Sequence, residues 1–186
     1  MKKLLPILTA LLVCGASATA IASSIGLSFA DGSPCGEAIA NQPFVINVFV
    51  QMGDDAAAGG FTGAEFRIDG LDPAWFMTLT LNPAANILLG DPVNGCNVVF
   101  PVCQGPPVVL LFSLSCISST PVDPRVLRVV RHSTPSNPDF PCPLVTLCNF
   151  PDFSIVCVEG GTAYVNTGCL VGTASKTWSG VKGLFR

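Results

Sequence analysis

Pro106-Pro107-Val108-Val109-Leu110-Leu111-Phe112-Ser113-Leu114-Ser115-Cys116-Ile117 is the longest apolar run outside the N-terminus, and Cys103 and Cys116 stand at its two ends. A near-continuous apolar run of this length between turn signals reads as a strand buried on both sides, or as the central strand of a sandwich. The composition around it agrees. Charged residues make up 11% of the 186, while 18 glycines and 16 prolines punctuate the chain. Low charge, frequent turns and abundant Val, Phe and Thr exclude a charged disordered chain and a helical bundle, and point to an all-β protein. The length allows one domain with a well-formed core.

Upstream of the central run, apolar residues alternate. Ser24 to Phe29 reads as a half-buried first strand, turned by Asp31-Gly32-Ser33-Pro34. Phe44, Ile46, Val48 and Val50 share one face of a second strand. In Gly63-Ala64-Glu65-Phe66-Arg67-Ile68-Asp69-Gly70-Leu71, Ala64, Phe66 and Ile68 point inward, with Glu65 and Arg67 on the other face. Asp72-Pro73 breaks that strand, and Trp75 to Leu81 resumes with Met77, Leu79 and Leu81 inward. Such a G-x-x-F-x-hydrophobic strand, soon followed by Asp-Pro and another apolar strand, resembles the early part of cohesin-like and related carbohydrate-binding β-sandwich modules. It also resembles secreted proteins of environmental bacteria that carry a similar G-A-E-F-R-[IV]-D-G-L segment. The resemblance spans Phe44 to Ile117. It implies a sandwich fold and an adhesive or scaffolding role, and no functional residue carries over.

Ile87-Leu88-Leu89 forms either a short strand or a helical turn, and Asn94-Gly95 turns the chain into the segment Cys96–Cys103. Arg125 to His132 reads as a strand whose arginines protect a sheet edge. The residues from Ser133 to Pro143 form an irregular surface loop. Glu159-Gly160-Gly161 suits a hairpin turn of the primed type between strands Phe153–Val158 and Thr162–Asn166. The fold class expected is therefore an antiparallel β-sandwich of about nine strands, stapled by disulfides, with a short C-terminal helix or arm.

Both ends differ from the middle. Met1-Lys2-Lys3, the apolar run Leu4–Val13 and Ala18-Thr19-Ala20 fit a secretory signal peptide over residues 1–20, cleaved after Ala20, with Ala22 as the second choice. Residues 21–172 then form the sandwich and 173–186 an apolar-basic tail. In the tail, Trp178, Val181 and Leu184/Phe185 are spaced for one face of a short helix, among Lys176, Lys182 and Arg186. The expectation is that it docks on its own sandwich or else on a partner, a membrane surface or a sorting machine. The apolar region from Val98 to Ile117 is broken by Pro101, Pro106 and Pro107, so no transmembrane helix is expected in the mature chain.

Nine cysteines less Cys14 leave eight, an even number that reads as a disulfide framework in an exported chain. Local clips are the economical pairing: Cys96–Cys103, Cys142–Cys148 and Cys157–Cys169, with Cys35–Cys116 as the long-range tie. No C-x-x-C occurs and His132 is the only histidine, which argues against zinc.

The chain carries few signs of chemistry. Its net charge is −3, and loss of Lys2 and Lys3 leaves seven basic against twelve acidic residues, so nucleic acid is excluded as a partner. No G-x-S-x-G, H-E-x-x-H or P-loop is present, and a Ser–His–Asp triad would have to use His132. Glycoside cleavage would need paired carboxylates from three glutamates and nine aspartates, several of them in turns. Asp54-Asp55, Asp69 and Asp72 lack the spacing that surrounds a calcium ion. No catalytic residue, metal or cofactor is therefore assigned. The expectation is a secreted or cell-surface module that binds a protein partner or joins an envelope assembly. Trp75, Trp178, Lys182, Phe185 and Arg186 are the candidate contact residues. The alternative is a carbohydrate-binding module using a half-exposed Trp75, and the remote alternative a secreted hydrolase.

Overall fold

The computed structural model describes residues 23–53, 59–149 and 151–167. They form strands alone, with no helix among the described residues. In chain order these are β1 (Ser24–Phe29), β2 (Cys35–Gly36), β3 (Pro43–Gln51), β4 (Phe61–Asp69), β5 (Phe76–Leu81), β6 (Ile87–Asp91) and β7 (Gly95–Gln104). Then follow β8 (Val108–Ile117), β9 (Arg125–Val130), β10 (Leu144–Leu147), β11 (Ile155–Cys157), β12 (Glu159–Gly160) and β13 (Thr162–Val165). The first sheet runs β12-β1-β3-β8-β5. The second holds β6, β7, β4, β9, β10, β11, β13 and β2.

Period-two alternation places the core between these sheets. From the first sheet, Ile25, Leu27, Phe44, Ile46, Val48, Phe112 and Leu114 are buried. From the second come Phe66, Ile68, Val98, Phe100, Leu127 and Val129. Phe66 stacks on Phe112 across the interlayer space with ring centroids 6.0 Å apart, and Phe61 meets Phe100 edge to face at 5.6 Å. β8 is central, lying between β3 and β5, but only one of its faces is covered: Phe112, Leu114 and Cys116 point inward, while Val108, Leu110 and Ile117 are exposed.

Several connections depart from the expectations. β9 is no edge strand, because β4 and β13 flank it. Its Arg125 pairs with Asp72 at 3.0 Å and lies 4.8 Å from the centroid of the Trp75 ring. β9 and β10 occupy one lane. β10 pairs with Phe61–Glu65 on the β4 edge opposite β7, and β9 continues along that edge from Arg67 to Asp69, since the Ile68 amide donates to Pro92 on the β7 side. The proline-rich segment 131–143 is thus an excursion from a single strand path.

The Gly160-Gly161 pair makes a crossing between sheets in place of a hairpin turn. Gly161 N–H donates to Ile25 O in β1, and Gly161 O accepts from Val129 N–H in β9. A Cβ on Gly161 would meet the Gly26 Cα at 2.9 Å, so only glycine lets the chain pass so close to β1.

All four expected cysteine pairs are corrected. The bridges are Cys103–Cys148, with Cα atoms 6.0 Å apart, and Cys142–Cys157, at 5.5 Å. Cys96 and Cys103 both lie on β7, Cys96 is a free thiol, and Cys103 is held by Cys148. Strand β10 stretches the chain between Cys142 and Cys148. Cys157 is held by Cys142, which excludes Cys157–Cys169. Cys35 is disulfide-bonded, but Cys116 is a buried free thiol and is not its partner; Cys96 is likewise free and buried. Each bridge spans separate stretches of the second sheet and its loops, so the chain is stapled between strands rather than within them.

Candidate functional site

The outer face of the second sheet carries a groove. Register aligns two rows across it: Thr146, Gly63, Val99 and Ile87 in one, Leu144, Glu65, Asn97 and Leu89 in the other. Gly63 gives the floor its depth. A Cβ there would meet Val98 O at 3.5 Å and Thr146 Oγ1 at 3.6 Å, ordinary contact, so the sheet itself does not require glycine at this position. The resulting hollow encloses about 310 Å³ and is walled by Leu89 on one side and Ile155 on the other. Ile87, Leu89 and Ile155 stand exposed along its rim, Leu89 by 60%.

The excursion 131–143 forms the end wall. Glu65 is 7% exposed, and its Oε1 accepts a hydrogen bond of 2.8 Å from the Ser136 amide. Leu144, beside it in the outward row, is only 2% exposed. The loop is braced within itself by Arg131 donating to Pro138 O at 2.8 Å, and to its surroundings by Ser133 donating to Asn94 O and by the Cys142–Cys157 bridge at its end. The groove therefore offers apolar rims, an amide at Asn97, a hydroxyl at Thr146 and a small floor. These groups suit the reception of protruding apolar side chains with a few hydrogen bonds. No group of three or more His, Cys, Asp or Glu that could hold a metal ion occurs among the described residues.

The expected contact residues fall elsewhere. Trp75 is 5% exposed, packed edge to face on Phe44 at 5.1 Å and capped by the Arg125 guanidinium. An indole with its faces already occupied is no platform for a sugar or a partner. Its neighbour Phe76 is the exposed ring, by 71%. Asp72 completes that corner: the Ala74 amide, and then Arg125, hold its carboxyl below the usual range against the opposing effect of burial. Trp178, Lys182, Phe185 and Arg186 lie outside the described residues, as does the expected helix or arm. The groove residues escaped the sequence reading because Gly63, Asn97 and Thr146 form no motif and come from three strands. The one available signal was Leu144-Val145-Thr146-Leu147, a short strand pattern between Pro143 and Cys148.

Neither a family model nor a curated protein matches the sequence. Solved structures resemble the fold. The chain is similar to the cohesin module of a Clostridium perfringens family 33 glycoside hydrolase, with a TM-score of 0.56 at 12% identity, covering 77% of this chain and 95% of that one. It is also similar to a non-cellulosomal cohesin from the archaeon Archaeoglobus fulgidus, with a TM-score of 0.48 at 10% identity over 79% and 93% of the two chains. A chain of a type I cohesin–dockerin complex from Clostridium thermocellum gives a TM-score of 0.48 at 10% identity over 78% and 99%. The disulfide-stapled sandwich has a cohesin-like fold, as the Phe44–Ile117 segment led one to expect.

Proposed function

We propose that this chain is a non-enzymatic protein-binding module, exported from the cell, whose partner docks in the groove floored by Gly63. The observation that carries the reading is that floor: a position where the fold accepts a side chain is left empty, at the centre of an apolar-rimmed hollow in an otherwise well-packed sheet. Likeness in fold to a cohesin module agrees with an interaction role, though fold alone does not confer one. The bridges Cys103–Cys148 and Cys142–Cys157 support an oxidising compartment, periplasmic, cell-surface or extracellular. A role in an envelope assembly is a finer form of the same reading. The carbohydrate alternative loses its Trp75 platform, because that indole is buried against Phe44 and Arg125.

The test is a filled floor. Gly63→Leu should fold with a melting temperature close to wild type and lose the partner that the wild-type protein retains from extracts of its native host. Equal retention of the same partner by both proteins would refute docking at the groove.

A further inference from the structure

Among the described residues the first sheet ends at β5, and that edge is chemically bare. Among them β5 pairs with β8 only, and Asn82 N–H donates to Leu111 O at 3.0 Å. Alternation from that bond turns the backbone groups of Met77, Leu79 and Leu81 away from β8, toward the open edge. Natural sheets blunt such edges with charge, proline or a bulge. Phe76-Met77-Thr78-Leu79-Thr80-Leu81 contains no charge or proline, and its ladder with β8 has no register shift. The side chains tell the same story. Met77, Leu79 and Leu81 point inward but stay only partly buried, because the sandwich is open along this side. A largely apolar cavity of about 470 Å³ lies there, lined by Met77, Leu79, Leu88 and Leu114, with Asp91 and Asn94 also on its wall.

We propose that β5 is the joint through which two copies of this chain associate, edge to edge, into one continuous antiparallel sheet. The strand is self-complementary about Leu79. With Leu79 opposite Leu79 of the partner copy, Met77 and Leu81 exchange backbone hydrogen bonds across the two-fold axis. Their inward side chains then meet those of the other copy at the open seam. On the outer face Thr78 comes opposite Thr80 of the second copy, a favourable cross-strand pair. The paired strands are themselves neutral. Strands β1, β3, β5 and β8 carry no charged residue, so mature copies, with seven basic against twelve acidic residues, meet along uncharged strands. That neutrality and symmetry favour a second copy over a foreign strand. A copy of β5 supplies a full complement of donors, acceptors and apolar side chains.

The experiment is sedimentation of the mature protein across a concentration series reaching about 100 μM, with two surface variants. Thr78→Lys/Thr80→Lys sets like charges opposite one another across the joint, and Thr78→Glu/Thr80→Glu does the same with the other sign. Both positions are exposed, so each variant should keep the wild-type melting temperature when both are measured at concentrations too low for the wild type to dimerise. The wild type should dimerise, each variant alone should dissociate with Kd raised at least about tenfold, and a mixture of the two should recover the dimer. A wild type monomeric throughout, a dimer indifferent to both variants, or a mixture that stays monomeric would each overturn the proposal.

Discussion

Glu65→Ala tests how the wall of the groove is held. In the folded chain the Glu65 carboxylate is buried, and its Oε1 takes the Ser136 amide at 2.8 Å, the contact that ties the excursion 131–143 down onto the sheet. A hydrogen bond to a charged group contributes about 1.5–3 kcal/mol. Ser136 is exposed and water can replace the lost acceptor, so the lower part of that range applies, about 1.5–2 kcal/mol. Loop opening should then rise about ten- to thirtyfold. Native-state hydrogen exchange at the Ser136 amide reads this directly, because the bond it reports is the one removed. Glu65→Gln keeps an oxygen at Oε1 but not the charge and should lose clearly less protection than Glu65→Ala. The Cys142–Cys157 bridge limits the opening to the loop, so the β4 amides should exchange as in wild type. Unchanged protection at Ser136 in Glu65→Ala, or equal loss in Glu65→Gln, would refute this account of the wall.

Three further outcomes follow from the packing. A peptide map without reduction should show Cys103–Cys148 and Cys142–Cys157; burial pushes the Cys96 and Cys116 thiols up to about 12, so alkylation near pH 8 should label both only after unfolding. The same shift makes stability fall as pH rises from the ordinary thiol range toward 12, because the unfolded chain ionises first. Gly161→Ala should lower the unfolding free energy by about 1–3 kcal/mol, measured from the denaturant midpoint, since its methyl would press on the β1 backbone at Gly26; a midpoint equal to wild type would show that the sheets can part there at little cost.

Where one face of a strand meets the core, the sequence was sufficient. Phe44, Ile46, Val48 and Val50 lie buried as their alternation implied, and Ala64, Phe66 and Ile68 do the same in β4. Met77, Leu79 and Leu81 also point inward, though the open seam leaves them half covered, which no pattern within the strand could show. Cysteine pairing failed for a geometric reason: closeness in sequence is distance in space once the intervening residues form a strand, as between Cys96 and Cys103. Gly160-Gly161 read as a turn because a chain can use glycine either to reverse or to pass another backbone closely, and only the neighbouring strands decide which. Trp75 was misjudged because its cover comes from Phe44 and Arg125, 31 and 50 residues away. The groove was the least legible part. Its floor is an absence, a missing side chain among small residues, and absences leave no pattern in a sequence.

The shared lane of β9 and β10 has a consequence for how such a molecule can change. Val130 faces Arg67 and Leu144 faces Glu65, so the two ends of the excursion are pinned by the same ladder only two positions apart on β4. Whatever the chain does between them, the sheet is closed again at once. Lengthening a loop so anchored costs little, about 0.6 kcal/mol for each doubling. The wall of the groove can therefore be rewritten in length and sequence while the sandwich beneath it stays the same. Diversification can act on the rim of the hollow without first having to re-solve the fold.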